Sequence, residues 1–179
     1  QGLEEAGLTV TTRDWIDRYD RLVEEEKEAY FAGLKKRLEE QGEDAVMLLF
    51  TQPFREPPVI PVTEEDVRSS DTDTAVYVIS RNSGEGKDRA PLPGDYELYE
   101  EEKEAIAYVA EHYEKTIVVL NVGGVMDTKF LRATKGINAV LLMSQAGNIG
   151  GYALADILTG KVTPGGHLTT TWAENYTDY

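Results

Sequence analysis

Cysteine is absent from the 179 residues and histidine occurs only twice. The first absence excludes disulfides and thiolate metal sites. The second leaves too few imidazoles for a histidine-rich metal centre, so neither a metal nor a cofactor is expected. Basic residues are also scarce: 18 Lys and Arg stand against 33 Asp and Glu, a net charge of −15. Nucleic acid and anionic membrane surfaces both require a positive face, so neither is an expected partner. No apolar run approaches the roughly 20 residues of a membrane span. What the chain does have is 41% hydrophobic residues, enough for one sizeable core and too many for a disordered chain. The length suits a single domain, residues 1–179.

The opening Gln1-Gly2-Leu3-Glu4-Glu5-Ala6-Gly7 reads as the last turns of a helix closed by glycine. Leu8-Thr9-Val10-Thr11 follows as a short strand. A domain does not begin at the end of a helix, so the expectation is a fragment truncated at its N-terminus. A long helix over 13–41 is predicted from Trp15, Tyr19, Leu22, Val23, Tyr30, Leu34 and Leu38 at helical spacings. A bend is expected at Glu24-Glu25-Glu26 and a stop at Gly42. The apolar run 45–50 has strand length, and 53–73, with four prolines at 53, 57, 58 and 61, reads as a loop. Further buried strands are predicted at 74–79, 116–122 and 137–143, and a more alternating one at 168–172. Asp95 is the expected N-cap of a helix over 96–114, whose inner face is Leu98, Ile106, Val109, Ala110 and Tyr113. A short helix over 152–158 ends at Gly160. Continuous apolar strands separated by helices indicate an α/β fold: a three-layer α/β/α sandwich with a mostly parallel sheet of about five or six strands.

In such a sheet, chemistry collects at the carboxyl ends of the strands. Three of those ends carry glycine, at 84–86, 123–124 and 147–151. Strand-to-helix turns often need glycine for positive φ alone. The first loop stands apart, because Glu85 lies between Gly84 and Gly86 and is followed by Lys87, Asp88 and Arg89. A carboxylate between two glycines has little side-chain cover and can project into a cleft, although a charged loop can equally be a solvated surface. Asp88 and Arg89 can pair with each other or meet sugar hydroxyls. The Walker phosphate loop is excluded, because Gly86-Lys87 is followed by aspartate. The dinucleotide glycine spacing and the Gly-x-Ser-x-Gly elbow are also absent. His112, inside a helix, and His167, in a turn, read as surface residues.

The stretch Ile79-Ser80-Arg81-Asn82-Ser83-Gly84-Glu85-Gly86-Lys87-Asp88-Arg89 resembles the strand and acid/base loop of family-three glycoside hydrolases of the β-glucosidase type, with Glu-Gly-x-Asp-Arg as its specific core. Residues 98–109 are similar to the helix after that loop, and 116–124 to the family's valine-rich strand ending in glycine. Residues 146–160 resemble the signature Pro-Gly-x-x-Gly-Gly-x-Ala-x-x-x-x-Leu-x-Gly, with Ala146 in place of the proline. Pro164-Gly165-Gly166-His167-Leu168 resembles the turn Asn-Pro-Ser-Gly-Lys-Leu-Pro, where Thr163, Gly165, His167 and Thr169 depart from the pattern. The similarity covers 74–176 well and 1–50 loosely.

The resemblance implies hydrolysis of terminal β-D-glucosyl residues with retention, in which one carboxyl group is the nucleophile and a second the acid/base. It assigns the acid/base role to Glu85. Gly84 and Gly86 let the loop approach substrate, Asp88 and Arg89 shape the loop or bind substrate, and Tyr96 and Tyr99 border the aglycone. The nucleophile, an aspartate, belongs to a separate (β/α)8 barrel of the parent chain, which nothing here resembles, so the isolated chain is expected to be inactive. The implied partners are a β-glucoside or oligosaccharide and that barrel. An uncovered sheet edge would add a second copy of the chain, giving a homo-oligomer. The competing expectation is a non-catalytic α/β module that binds carbohydrate or another protein.

Overall fold

The computed structural model describes residues 1–41, 45–83 and 88–179. In chain order its elements are α1 (Gly2–Glu5), α2 (Arg13–Gln41), α3 (Ala45–Thr51), α4 (Glu64–Ser70), β1 (Thr74–Arg81), α5 (Glu100–His112), β2 (Lys115–Val122), α6 (Lys129–Ala133), β3 (Ile137–Leu142) and α7 (Gly150–Leu158), with a 3-10 turn at Tyr176–Asp178. They form two compact units, Thr12–Ile60 and the combination of Gln1–Thr11 with Pro61–Tyr179.

In the Thr12–Ile60 unit, α2 is one helix of 29 residues with no break at its glutamates. Glutamate is a good helix former, and Lys27 pairs with Glu24 one turn away at 3.2 Å. The expected stop at Gly42 lies outside the described residues. The run at 45–50 is helical, not a strand. A short apolar run has no period that separates a strand from a buried helix, and Ala45, Met47, Leu48 and Leu49 all favour helix. Burial there is one-sided, with Leu48 buried between exposed Met47 and Leu49. The proline-rich segment after α3 runs back along α2. The Tyr30 hydroxyl donates to the Gln52 carbonyl at 2.8 Å, and the Tyr19 hydroxyl to the Pro57 carbonyl at 2.9 Å.

The other unit holds the sheet. Its three strands are all parallel, in the order β1-β2-β3. This is the expected α/β architecture with fewer strands among the described residues than expected. Residues 8–11 are not a strand because Leu8 belongs to the end of α1. Its N–H reaches the Leu3 carbonyl and that of Gly7 the Glu4 carbonyl, both at 3.0 Å, a Schellman closure with Gly7 at φ +88°. Residues 168–172 form no strand, with bends at 169 and 170, and Trp172 packs against the core. The expected loop 53–73 contains α4, started by a capping box: Thr63 N donates to Asp66 Oδ2 at 2.9 Å and Asp66 N to Thr63 Oγ1 at 3.2 Å.

Sequential order combined with right-handed crossovers puts α5 and α6 on one face of the sheet. On β1 that face carries Tyr77, Ile79 and Arg81, while Val76 and Val78 face the other way and are exposed. Ile79, Leu98, Ile106, Val118, Leu120, Val122, Met126 and Leu131 close into one buried cluster. Burying an aliphatic side chain of this size is worth about 1.5–3 kcal/mol. Accordingly, Ile106→Ala, at a position with no exposed surface, should cost about 2–5 kcal/mol in urea unfolding. Val78→Thr on the open face should cost less than about 0.5 kcal/mol.

Candidate functional site

The carboxyl end of β1 is fixed by a buried ion pair. Arg81 and Glu102 are each only 8% exposed. Arg81 donates from Nη1 to Glu102 Oε1 at 2.8 Å and from Nη2 to Oε2 at 2.5 Å, a planar two-point contact. Its remaining donors reach the Ser80 carbonyl at 2.8 Å and the Asp95 carbonyl at 3.3 Å. Glu102 also accepts the Tyr99 backbone N–H at 2.8 Å, which closes the first turn of α5. Hence α5 starts at Glu100 with Tyr99 as its N-cap, and Asp95 is not its cap. The missed signal is the acidic triplet Glu100-Glu101-Glu102, which suits the positive end of a helix. The expected inner face is correct: Leu98, Ile106, Val109, Ala110 and Tyr113 are all buried.

Past Arg81 the chain reaches Asn82 and Ser83. Gly84, Glu85, Gly86 and Lys87 lie outside the described residues. On the far side, Asp88 is exposed and Arg89 half-buried. Arg89 pairs with Asp95 at 3.1 Å, not with Asp88. The second Asp95 oxygen accepts the Ala90 N–H at 3.0 Å. The Arg89 guanidinium also donates to Ser83 Oγ at 3.1 Å, so the two sides of the Glu85 segment meet in one hydrogen bond.

Strand β2 ends beside this contact. A Cβ on Gly123 would stand 2.4 Å from Gln145 Oε1 and 2.7 Å from Ser83 Oγ, and one on Gly124 would stand 3.4 Å from Arg89 Nε. The side chains of Ser83 and Gln145 close over the Gly123 backbone, and a larger residue there would have to push their ends aside. The carboxyl edge of the sheet thus gathers Ser83, Arg89, the Gly123-Gly124 turn and Gln145. This edge is polar, with Ser83 and Gln145 exposed and Arg89 held between Asp95 and Ser83.

Tyr96 does not border an open site, because it is 1% exposed. Its ring meets Tyr176 edge-on at 5.1 Å and Tyr179 at 6.3 Å. Burial pushes its phenol pKa up, with Tyr179 and the Asp127 carboxylate adding to the effect. Tyr99 is half-buried, with the Arg81 guanidinium 6.0 Å from its ring centre. His112 and His167 are exposed, as expected. Among the described residues no group of three or more His, Asp or Glu could hold a metal ion. Nor is any helix among them long and apolar enough to cross a membrane.

A parallel α/β domain with a polar site at its carboxyl edge is a class with many members. The family model of the glycosyl hydrolase family 3 C-terminal domain matches residues 9–179, and the chain belongs to that family. It is 37% identical over 144 residues to a β-glucosidase A of Butyrivibrio fibrisolvens, a match covering 66% of this chain and 17% of that protein. It is 36% identical over 108 residues to a β-glucosidase of Ruminococcus albus, covering 60% of this chain and 11% of that protein. The structure of β-glucosidase 3B from Thermotoga neapolitana in complex with α-D-glucose is similar with a TM-score of 0.69 at 32% identity, over 99% of this chain and 23% of that one. The chain therefore spans less than a quarter of the length of these relatives.

Removing one partner of a buried ion pair leaves a charge without compensation, whereas replacing both with apolar groups does not. Arg81→Met or Glu102→Leu alone should each destabilise the chain by about 3–5 kcal/mol. The double variant should recover much of that loss, a coupling that a double-mutant cycle by urea unfolding measures.

Proposed function

We propose that this chain of 179 residues is the acid/base-bearing domain of a retaining β-glucosidase, working together with a (β/α)8 barrel of the parent protein. The observation that carries this reading is the sequence Glu-Gly-x-Asp-Arg at 85–89, which begins four residues beyond the end of the parallel strand β1, in a member of this family. The named activities of the similar proteins support it. Retention needs two carboxyl groups about 5–5.5 Å apart, and Glu85 supplies one of them. The barrel supplies the other as nucleophile.

Glu85 protonates the leaving oxygen in the first step and takes a proton from water in the second. A general acid should hold its proton near working pH, so its pKa must be raised towards about 6–7. Lys87 and Arg89, two and four positions along the sequence, are cations that oppose this. Arg89 is already paired with Asp95, which weakens its pull. The upward push then comes from the ionised nucleophile and from desolvation in the closed cleft. Glycosylation removes the nucleophile's charge, and Glu85 becomes the base. Asp88, itself exposed, and Arg89 take the role of shaping the loop, and Gly84 and Gly86 that of letting it approach substrate. The substrate is a β-glucoside or β-linked oligosaccharide. A xyloside is a second reading, because a probable β-D-xylosidase 6 of Arabidopsis thaliana is 37% identical over 98 residues.

In the full-length parent, Glu85→Ala should slow hydrolysis of glucosides with poor leaving groups by about 10²–10⁴-fold. Glucosides of very acidic phenols should be spared in the first step. Added azide should restore turnover and give a β-glycosyl azide, identified by NMR. An α-azide would make Glu85 the nucleophile. Wild-type rates in the variant would favour a non-catalytic carbohydrate-binding module instead.

A further inference from the structure

Both neighbours of β2 send a side chain over its carboxyl end. Strand β2 lies between β1 and β3, and Gly123 is the first residue after it. A Cβ on Gly123 would stand 2.7 Å from Ser83 Oγ on the β1 side. On the β3 side it would stand 2.4 Å from Gln145 Oε1 and 2.7 Å from Gln145 Cδ. The Gln145 side chain therefore lies back over the end of the sheet. The chain reaches that position through Ser144, which is left-handed at φ +56°. A residue other than glycine enters that region at an energetic cost, and such strained residues cluster at binding and catalytic sites.

The carboxyl ends of three parallel strands thus share one polar surface. In open parallel sheets, ligands bind outside those ends. Charge and hydrogen bonding narrow the ligand. Among the described residues of this edge the cation is Arg89, and its guanidinium is taken up by Asp95 and Ser83. It has little to offer a phosphate or a carboxylate. Gln145 is exposed, and among the described residues neither end of its amide has a hydrogen-bond partner. A primary amide presents an acceptor and a donor side by side, which matches two adjacent hydroxyls of a neutral sugar.

We propose that Gln145 is a specificity-determining residue that binds adjacent hydroxyls of a sugar in the leaving-group position of the substrate. The inference rests on the β-glucosidase reading above, in which the domain that carries the proton donor faces the leaving oxygen. A side chain on its strand ends then meets the departing group. Gly123 leaves the room for the amide, and the Ser83 hydroxyl bounds that room from the β1 side. An oligosaccharide, which departs as a sugar, uses the amide. An aryl glucoside departs as a phenol with no such hydroxyl pair and does not.

The test uses the full-length parent and compares wild type, Gln145→Ala, Gly123→Ala and Glu85→Ala. Gln145 is exposed, so its truncation removes no packed core. Gly123→Ala leaves the amide in the protein and pushes it out of place. The readouts are kcat and KM for a β-linked glucose disaccharide and for p-nitrophenyl β-glucoside. In both Gln145→Ala and Gly123→Ala the disaccharide KM should rise about 10-fold, the worth of one or two neutral hydrogen bonds. The aryl glucoside KM should change by less than about twofold. A disaccharide KM unchanged in Gln145→Ala overturns the proposal. So does an equal loss on both substrates, because the amide would then act on the glucosyl ring or on the fold. Either result leaves the acid/base reading standing, since azide rescue of Glu85→Ala tests that separately. If Glu85→Ala keeps wild-type rates while Gln145→Ala still weakens the disaccharide selectively, the acid/base reading falls and the sugar-binding role of Gln145 remains.

Discussion

A guanidinium taken out of water must find its counter-charge, and at the end of β1 that requirement organises everything around it. Arg81 lies on the helix-covered face of the sheet, where a hydrocarbon side chain would be the ordinary occupant. Glu102 answers it with both carboxylate oxygens. Such a pair adds little net stability over an apolar one, because desolvation offsets most of the attraction. What it supplies is position. One carboxylate ties the last residue of a strand to the first turn of the helix that follows, and the chain between them has to close over a fixed span.

The site follows from that closure. The Asp95 carbonyl accepts from Arg81, and its carboxylate accepts from Arg89 and Ala90, so one residue links the buried pair to the open edge. Arg89 carries the link across to Ser83, and Gly123 lets Ser83 and Gln145 approach the end of β2 without a Cβ in the way. Burial of charge, the helix start and the loop stems form one connected network, and its outermost members flank the position proposed for the acid/base carboxyl group. In the proposed role, the proton donor would have to lie within hydrogen-bond reach of the leaving oxygen.

Much of this was legible from residue order. The valine-rich strands at 74–81 and 115–122 announce themselves as continuous apolar runs, although the Val76 and Val78 face of β1 is exposed. The inner face of α5 follows from its spacing. The run at 45–50 was misread because six apolar residues satisfy a strand and a buried helix equally well. α4 was hidden by the prolines before it, although Thr63 and Asp66 were a capping box in plain view. At the site, the role proposed for Glu85 comes only from family resemblance, and the contact between Tyr176 and Arg89 is not visible in the sequence at all. Tyr176 and Arg89 are 87 residues apart, and a hydroxyl meeting a carbonyl leaves no periodicity to find. Asp95 looked like a helix cap because capping aspartates and loop-bracing aspartates do the same local chemistry: both accept backbone N–H groups.

Geometry in the assembled enzyme tests the central claim, that this domain mounts one of two catalytic carboxyl groups, most directly. The measurement is the separation of the Glu85 carboxyl carbon from the barrel's aspartate nucleophile in a crystal structure of the full-length parent bound to a substrate analogue. The account predicts about 5–5.5 Å, with Glu85 facing the glycosidic oxygen. A separation beyond about 6.5 Å would contradict retention, and a Glu85 turned to solvent with another acid in its place would contradict the assignment.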